Sequence, residues 1–220
     1  VCFWYLIFSI PFLINCNSKN VSNSKTSFSE LLKLLLNTFK EKNKLQFLIA
    51  RMFYTDGLIT LFSFGGIYAS GVFNFSFYEI IYFGIALNIS AAIGSLILGY
   101  LEDIIGIKRI LTYSLIGLIF LAFLILIIEN KVLFWVLGIS LGFFIGSIQS
   151  SSRTALVKIS DSGNLNKMFG LYAVSGKVTN FLGPMLVAIF TSLFESQRAG
   201  MGSILIFLIL GLLILRRTKI

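Results

Sequence analysis

Long apolar runs, each bounded by one or a few charges, set the rhythm of this chain. Residues 57–78 carry no charge, and residues 80–101 follow the single Glu79. Residues 110–128 and 132–152 come next, then residues 168–194 with only Lys177 inside, and residues 199–215 close the series. A helix needs roughly 18 apolar residues to cross a bilayer. The pattern therefore predicts six membrane-spanning helices, and the apolar residues 1–16 read as the end of a seventh. The runs exceed strand length and do not alternate, which points to an all-α membrane protein and away from a β-barrel.

Polar segments divide the rest. Residues 17–45 form the long connection, beginning as an Asn/Ser/Lys-rich linker. Ser27 and Glu30 then make an S-x-x-E capping pattern ahead of Phe28, Leu31, Leu32, Leu35, Leu36 and Phe39 at helical spacing. This predicts an amphipathic helix, either lying on the membrane surface or packed as a spacer on neighbouring helix ends. Residues 46–215 hold the six spans, and residues 216–220 are a short basic tail.

Composition sharpens this picture. With 57% hydrophobic and 12% charged residues, a water-soluble fold is excluded. The net charge of +9 is distributed by topology: fifteen of the 18 Lys and Arg residues fall on one side of the six spans, with Lys131 and Arg198 opposite and Lys177 within a span. The positive-inside rule makes the crowded side cytoplasmic, so the long connection and the tail both lie inside. No basic patch accompanies a soluble core, so the expected partner is membrane lipid and not nucleic acid.

The chain has no histidine, and Cys2 and Cys16 form no metal-ligand spacing. Neither a His-based catalytic pair nor a zinc site is available, and no phosphate-binding P-loop is present. No catalytic residue, metal or cofactor is expected. A membrane-embedded enzyme acting on lipid and a non-transporting scaffold are two function classes that remain open.

The segment GYLEDIIGIKR supplies Gly99, Leu101, Asp103, Gly106, Lys108 and Arg109 in the pattern G-x-L-x-D-x-x-G-x-K-R. It is a tight turn between two spans, and its acid is able to dock on the positive end of a neighbouring helix. It resembles the loop motif of the major facilitator superfamily, found between helices 2 and 3 and again, weaker, between helices 8 and 9. Ile104 and Ile107 stand where the family often has basic residues, which suits the second copy. The resemblance implies the six-helix C-terminal half of a twelve-helix fold, helices 7 to 12, preceded by the end of helix 6. Its partner would be the N-terminal six-helix half.

A narrower resemblance rests on ARMFYTDGL, FGGIYASG, SSSRTAL, FGLYAVSGKVTNFLGP and SQRAGM. As a set these are similar to the vacuole-effluxer branch of that superfamily. The resemblance implies a secondary active transporter of a small solute, amino acids being the class linked to fungal members. It implies the bacterial plasma membrane, or the vacuolar membrane in a fungus.

Ionisable groups inside spans cost about 2.5–3.5 kcal/mol each on insertion scales and therefore mark function by default. Asp56 and Lys177 are the two that topology leaves unexplained. Asp56, Thr60 and Ser63 fall within one helical arc, and Lys177 shares a face with Asn180. We expect Asp56 and Lys177 to face a common cavity, pairing directly or dividing a zwitterion between them; the alternative is a structural ion pair. Arg51 points elsewhere and reads as an interfacial anchor. Gly138, Gly142 and Gly146 form a stripe that Gln149 and Arg153 continue, predicting tight helix packing or a rocking helix; Gln149 and Arg153 are candidate substrate contacts, Arg153 either as a gate or only as a positive-inside charge. Pro184 predicts a kink in its span. Asn88, Ala91, Ala92, Ser95 and Gly99 give the second span a small, weakly polar face, expected to pack on the other half.

Overall fold

The computed structural model describes residues 9–11, 41–160 and 165–218. Residues 9–11 are helical and belong to a separate unit, Val1–Leu34; everything below concerns the unit Leu35–Ile220. The linker and amphipathic helix expected before residue 41 lie outside the described residues, as does Lys219.

Seven helices are described in this unit, with no strand among the described residues: α1 (Lys42–Phe73), α2 (Phe77–Ile105), α3 (Ile107–Ile127), α4 (Lys131–Ile159), α5 (Leu165–Val178), α6 (Leu182–Phe194) and α7 (Gln197–Arg217). α5 and α6 are two parts of one 30-residue stretch, so six stretches are long and apolar enough to cross a membrane. This is the all-helical, six-span fold that the apolar runs predict.

The first span departs from its run. Instead of spanning residues 57–78, α1 ends at Phe73, because Asn74 takes the left-handed conformation (φ 54°) that asparagine tolerates. Ser76 and Glu79 then close a capping box at the start of α2. Upstream, α1 continues through Asp56 and Arg51 to Lys42, and other helices contact both the acid and the arginine. Between α2 and α3 a single residue makes the turn: Gly106 sits at φ 99°, a conformation side-chain-bearing residues rarely adopt.

Small residues set the helix pairing. α4 lies against α2 with Gly138 on the Phe83 ring, Gly142 on the Leu87 carbonyl and Gly146 on the Ala91 carbonyl, while Gly94 faces the Phe143 backbone. The stripe is therefore a packing surface. Gly146→Val would drive a side chain into the Ala91 carbonyl, and overpacking of this kind costs about 1–3 kcal/mol. A thermal melt of the variant is expected to shift down by roughly 3–8 °C. α1 lies against α7 in the same manner, with Gly57 on Leu208 and Gly211 on the Tyr54 backbone. α3 touches both α4 and α7, and Leu111, Leu115 and Leu118 are fully buried there.

One end of the bundle is basic. At the other, Lys131 pairs with Glu79 at 2.7 Å and Arg198 with Glu129 at 3.8 Å, beside a cluster in which Phe73 and Phe134 stand 4.5 Å apart. Coverage is uneven. α2 and the α5–α6 stretch bury 17% and 11% of their apolar windows, whereas the other four bury 33–44%. Asn88 and Ala92 lie on the open side of α2, while Ala91 packs against Gly146 of α4.

Candidate functional site

Two clusters meet α1 in its first half. The first surrounds Arg51, which is 9% exposed. Its guanidinium lies over the Tyr172 ring, 3.3 Å from the centroid, and donates to the Tyr172 carbonyl and, at 2.9 Å, to Ser175 Oγ. Gly176 makes room: a Cβ there would stand 2.7 Å from the guanidinium. Helical spacing turns Arg51 away from the Asp56 arc, and the surface it meets is that of α5. Its Nε is buried with no acceptor among the described residues, where the cation retains an unused donor.

Around this cation opens a cleft of about 240 Å³ between α1, α4 and α5, lined by Arg51, Tyr54, Thr55, Gln149, Ser152, Arg153 and Tyr172 with apolar neighbours. The Tyr54 hydroxyl is 2.7 Å from Ser152 Oγ, which fixes the cleft floor. Gln149 and Arg153, one turn apart on α4, are exposed toward the opening. The structure thus joins Gln149 and Arg153 to a second arginine that sequence reasoning set aside. A separate apolar cavity of about 190 Å³ lies between α1, α2, α3, α4 and α7, and Phe62 lines both spaces.

The second cluster is a break in a span. α5 stops at Val178 and α6 begins at Leu182, near the midpoint of the 30-residue stretch. Pro184 predicts a kink, and the distortion falls upstream of it for a definite reason. Proline has no N–H to give the carbonyl four residues earlier, that of Asn180, so the ladder fails before the ring. Asp56, 1% exposed, reaches this break: its Oδ2 accepts the Gly183 N–H at 3.0 Å. A carboxylate is favoured at a helix N-terminus, where unpaired amides carry partial positive charge. Thr60 Oγ1 donates to the Asp56 carbonyl at 2.7 Å and lies where a Cβ on Gly183 would go. Asp56 Oδ1, Thr179 Oγ1 and Asn180 Oδ1 are buried without a partner among the described residues.

The model of the "Vacuole effluxer Atg22 like" family matches residues 1–220. The chain belongs to that family. It is 25% identical over 219 residues to the uncharacterized MFS-type transporter YxiO of Bacillus subtilis, covering 96% of this chain and 50% of that protein. Autophagy-related protein 22 of Cryptococcus neoformans is 22% identical over 243 residues, with 99% of this chain and 43% of the relative covered. The corresponding protein of Candida glabrata is 23% identical over 215 residues, covering 91% and 39%. The chain spans half or less of the length of these relatives.

Within this Atg22-like chain, other expected site residues lie apart. Lys177 is exposed on α5 and forms no ion pair with Asp56, whose carboxylate is instead taken by Gly183. Direct pairing is therefore corrected to a helix-capping role for the acid. Ser63 is exposed, separated from buried Asp56 and Thr60 although it shares their arc.

The loop motif is also rearranged. Asp103 and Arg109 are exposed, Leu101 is half-buried, and Gly99 has open space beside it. The preceding residue, Glu102, is the buried acid, 6% exposed, and accepts from Ser151 on α4. Two adjacent carboxylates look alike in sequence; only the rotation of α2 against α4 selects the inner one. Lys108 donates to the carbonyls of Arg216 (3.1 Å) and Thr218, closing the end of α7. A basic group there also meets the negative end of the helix dipole. Ser151→Ala would remove the donor of a buried carboxylate, a change worth about 1–3 kcal/mol. Thermal denaturation is expected to show that loss.

Proposed function

We propose that the chain is the C-terminal six-helix half of a secondary active transporter for a small solute bearing a carboxylate, amino acids being the fitting class. One observation carries the reading: Arg51 keeps an unused, buried guanidinium donor in a cleft that also presents Arg153 and Gln149. A planar guanidinium binds carboxylates through paired N–H donors, and burial strengthens such bonds. The names of the relatives, an MFS-type transporter and an autophagy-related protein, are in keeping with it.

The thinly covered faces of α2 and α5–α6 provide the surface for the N-terminal half. Lys177 and Asn88 stand on them, and polar groups at membrane depth belong against protein or water. Alternating access then opens the cleft to each side in turn, the bend between α5 and α6 allowing that stretch to rock. The basic end faces the cytoplasm.

Counterflow in proteoliposomes with the full-length protein tests this. Exchange of labelled amino acids, competed by carboxylate-bearing analogues and not by sugars, is the expected result. Exchange of neutral solutes alone would overturn the assignment of the Arg51 cleft.

A further inference from the structure

The break between α5 and α6 holds more oxygen than a helix cap requires. Asp56 is a carboxyl group at 1% exposure, and no Lys or Arg comes within ion-pairing distance among the described residues. One oxygen, Oδ2, is satisfied by the Gly183 amide; the other, Oδ1, is not. The three residues of the break add two more buried oxygens without partners among the described residues, Thr179 Oγ1 and Asn180 Oδ1, and Thr60 Oγ1 lies beside Gly183. Buried polar atoms are almost always satisfied, so several orphans at one interruption need a common explanation.

We propose that this break binds a small alkali cation, Na+ or Li+, with the Asp56 carboxylate as its charged ligand and Thr179, Asn180 and Thr60 as neutral oxygen donors. A proton alone would neutralise Asp56 and leave the Thr179 and Asn180 oxygens orphaned. A divalent ion fits poorly, because no group of three acidic, His or Cys residues able to hold a metal exists among the described residues. Hard oxygen donors with one net negative charge match a singly charged hard cation. The placement is chemically sound: the carbonyl end of α5, with its partial negative charge, meets the break from one side, and interrupted helices supply such ion sites in membranes. Occupancy would draw α1, α5 and α6 together, so the ion couples to the bend on which the transport reading relies. The binding itself does not depend on that reading.

The test is thermal unfolding of the full-length protein in nanodiscs at pH 8, with NaCl exchanged for choline chloride at constant ionic strength. A ligand that binds only the folded state raises the melting temperature saturably. A rise of roughly 3–8 °C is expected for Na+ or Li+, with a smaller rise for K+. Asn180→Ala and Thr179→Val keep the Asp56 cap on α6, and each is expected to raise the half-saturating Na+ concentration about tenfold, the equivalent of one lost ligand. Asp56→Asn is expected to abolish the response; should it not fold, the two neutral variants carry the test. Identical melting in NaCl and choline chloride would overturn the proposal, as would stabilisation by lower pH with Na+ inert, or a wild-type Na+ response in both neutral variants. Loss of amino-acid exchange with the Na+ response intact would instead count against the Arg51 cleft.

Discussion

Arg51→Met in the full-length protein is expected to lower kcat/KM for a carboxylate-bearing solute by roughly 10- to 100-fold. Arg51 is nearly buried, stacked on Tyr172 and hydrogen-bonded to the α5 backbone, yet its Nε is unused. A hydrogen bond to a charged group contributes about 1.5–3 kcal/mol, and each 1.4 kcal/mol is tenfold. Arg51→Lys keeps the charge but loses the fork, so it is expected to recover only part of the rate. Initial rates of exchange in proteoliposomes, compared between a carboxylate solute and its amide analogue, separate recognition from scaffolding. A loss confined to the carboxylate solute supports recognition. An equal loss for both would mean that Arg51 only ties α1 to α5.

Gly183→Val is the second substitution with a large expected effect. A Cβ at this position would occupy the place of Thr60 Oγ1 and press on the Asp56 carbonyl at 3.3 Å. α6 must then move off α1, and Asp56 loses the amide that caps it. Overpacking and a lost charge-assisted hydrogen bond together cost about 3–6 kcal/mol. Thermal melts are expected to fall by more than 10 °C, with solute exchange lost. Gly183→Ala should lie between. A valine variant that melts and exchanges like the parent would show that α1 and α6 do not touch in the working protein.

The two substitutions sit on features of different legibility. Asp56 stands out in sequence because a carboxylate inside an apolar run has few explanations. Its partner does not, because Gly183 contributes a backbone amide exposed by a break, and backbone groups leave no mark in composition. Pro184 signals that the ladder fails; the fold decides that Asp56 meets the freed amide and not the Lys177 ammonium. Arg51 is harder still. It lies near the basic end of α1, where an arginine ordinarily follows the positive-inside bias, and only the approach of Gly176 and Tyr172 turns it inward. Glu102 and Asp103 show the same limit in miniature, since neighbours on a helix differ only in which way the packed helix turns them.

What the amino-acid sequence determined by itself is the architecture of spans. Hydrophobic length, the positions of isolated charges and the glycine stripe follow from transfer energies and local spacing, and six apolar stretches with the Gly138–Gly142–Gly146 packing face were readable from them. The tertiary structure alone decided which polar groups meet. Arg51 joined Arg153 and Gln149 across α1, α4 and α5, and Asp56 reached the interrupted span while Lys177 faced outward. The physical reason is the same in each case. Burial of apolar surface depends on composition along one segment, whereas a polar contact depends on the relative rotation of helices distant in sequence, and that rotation is fixed by packing between them.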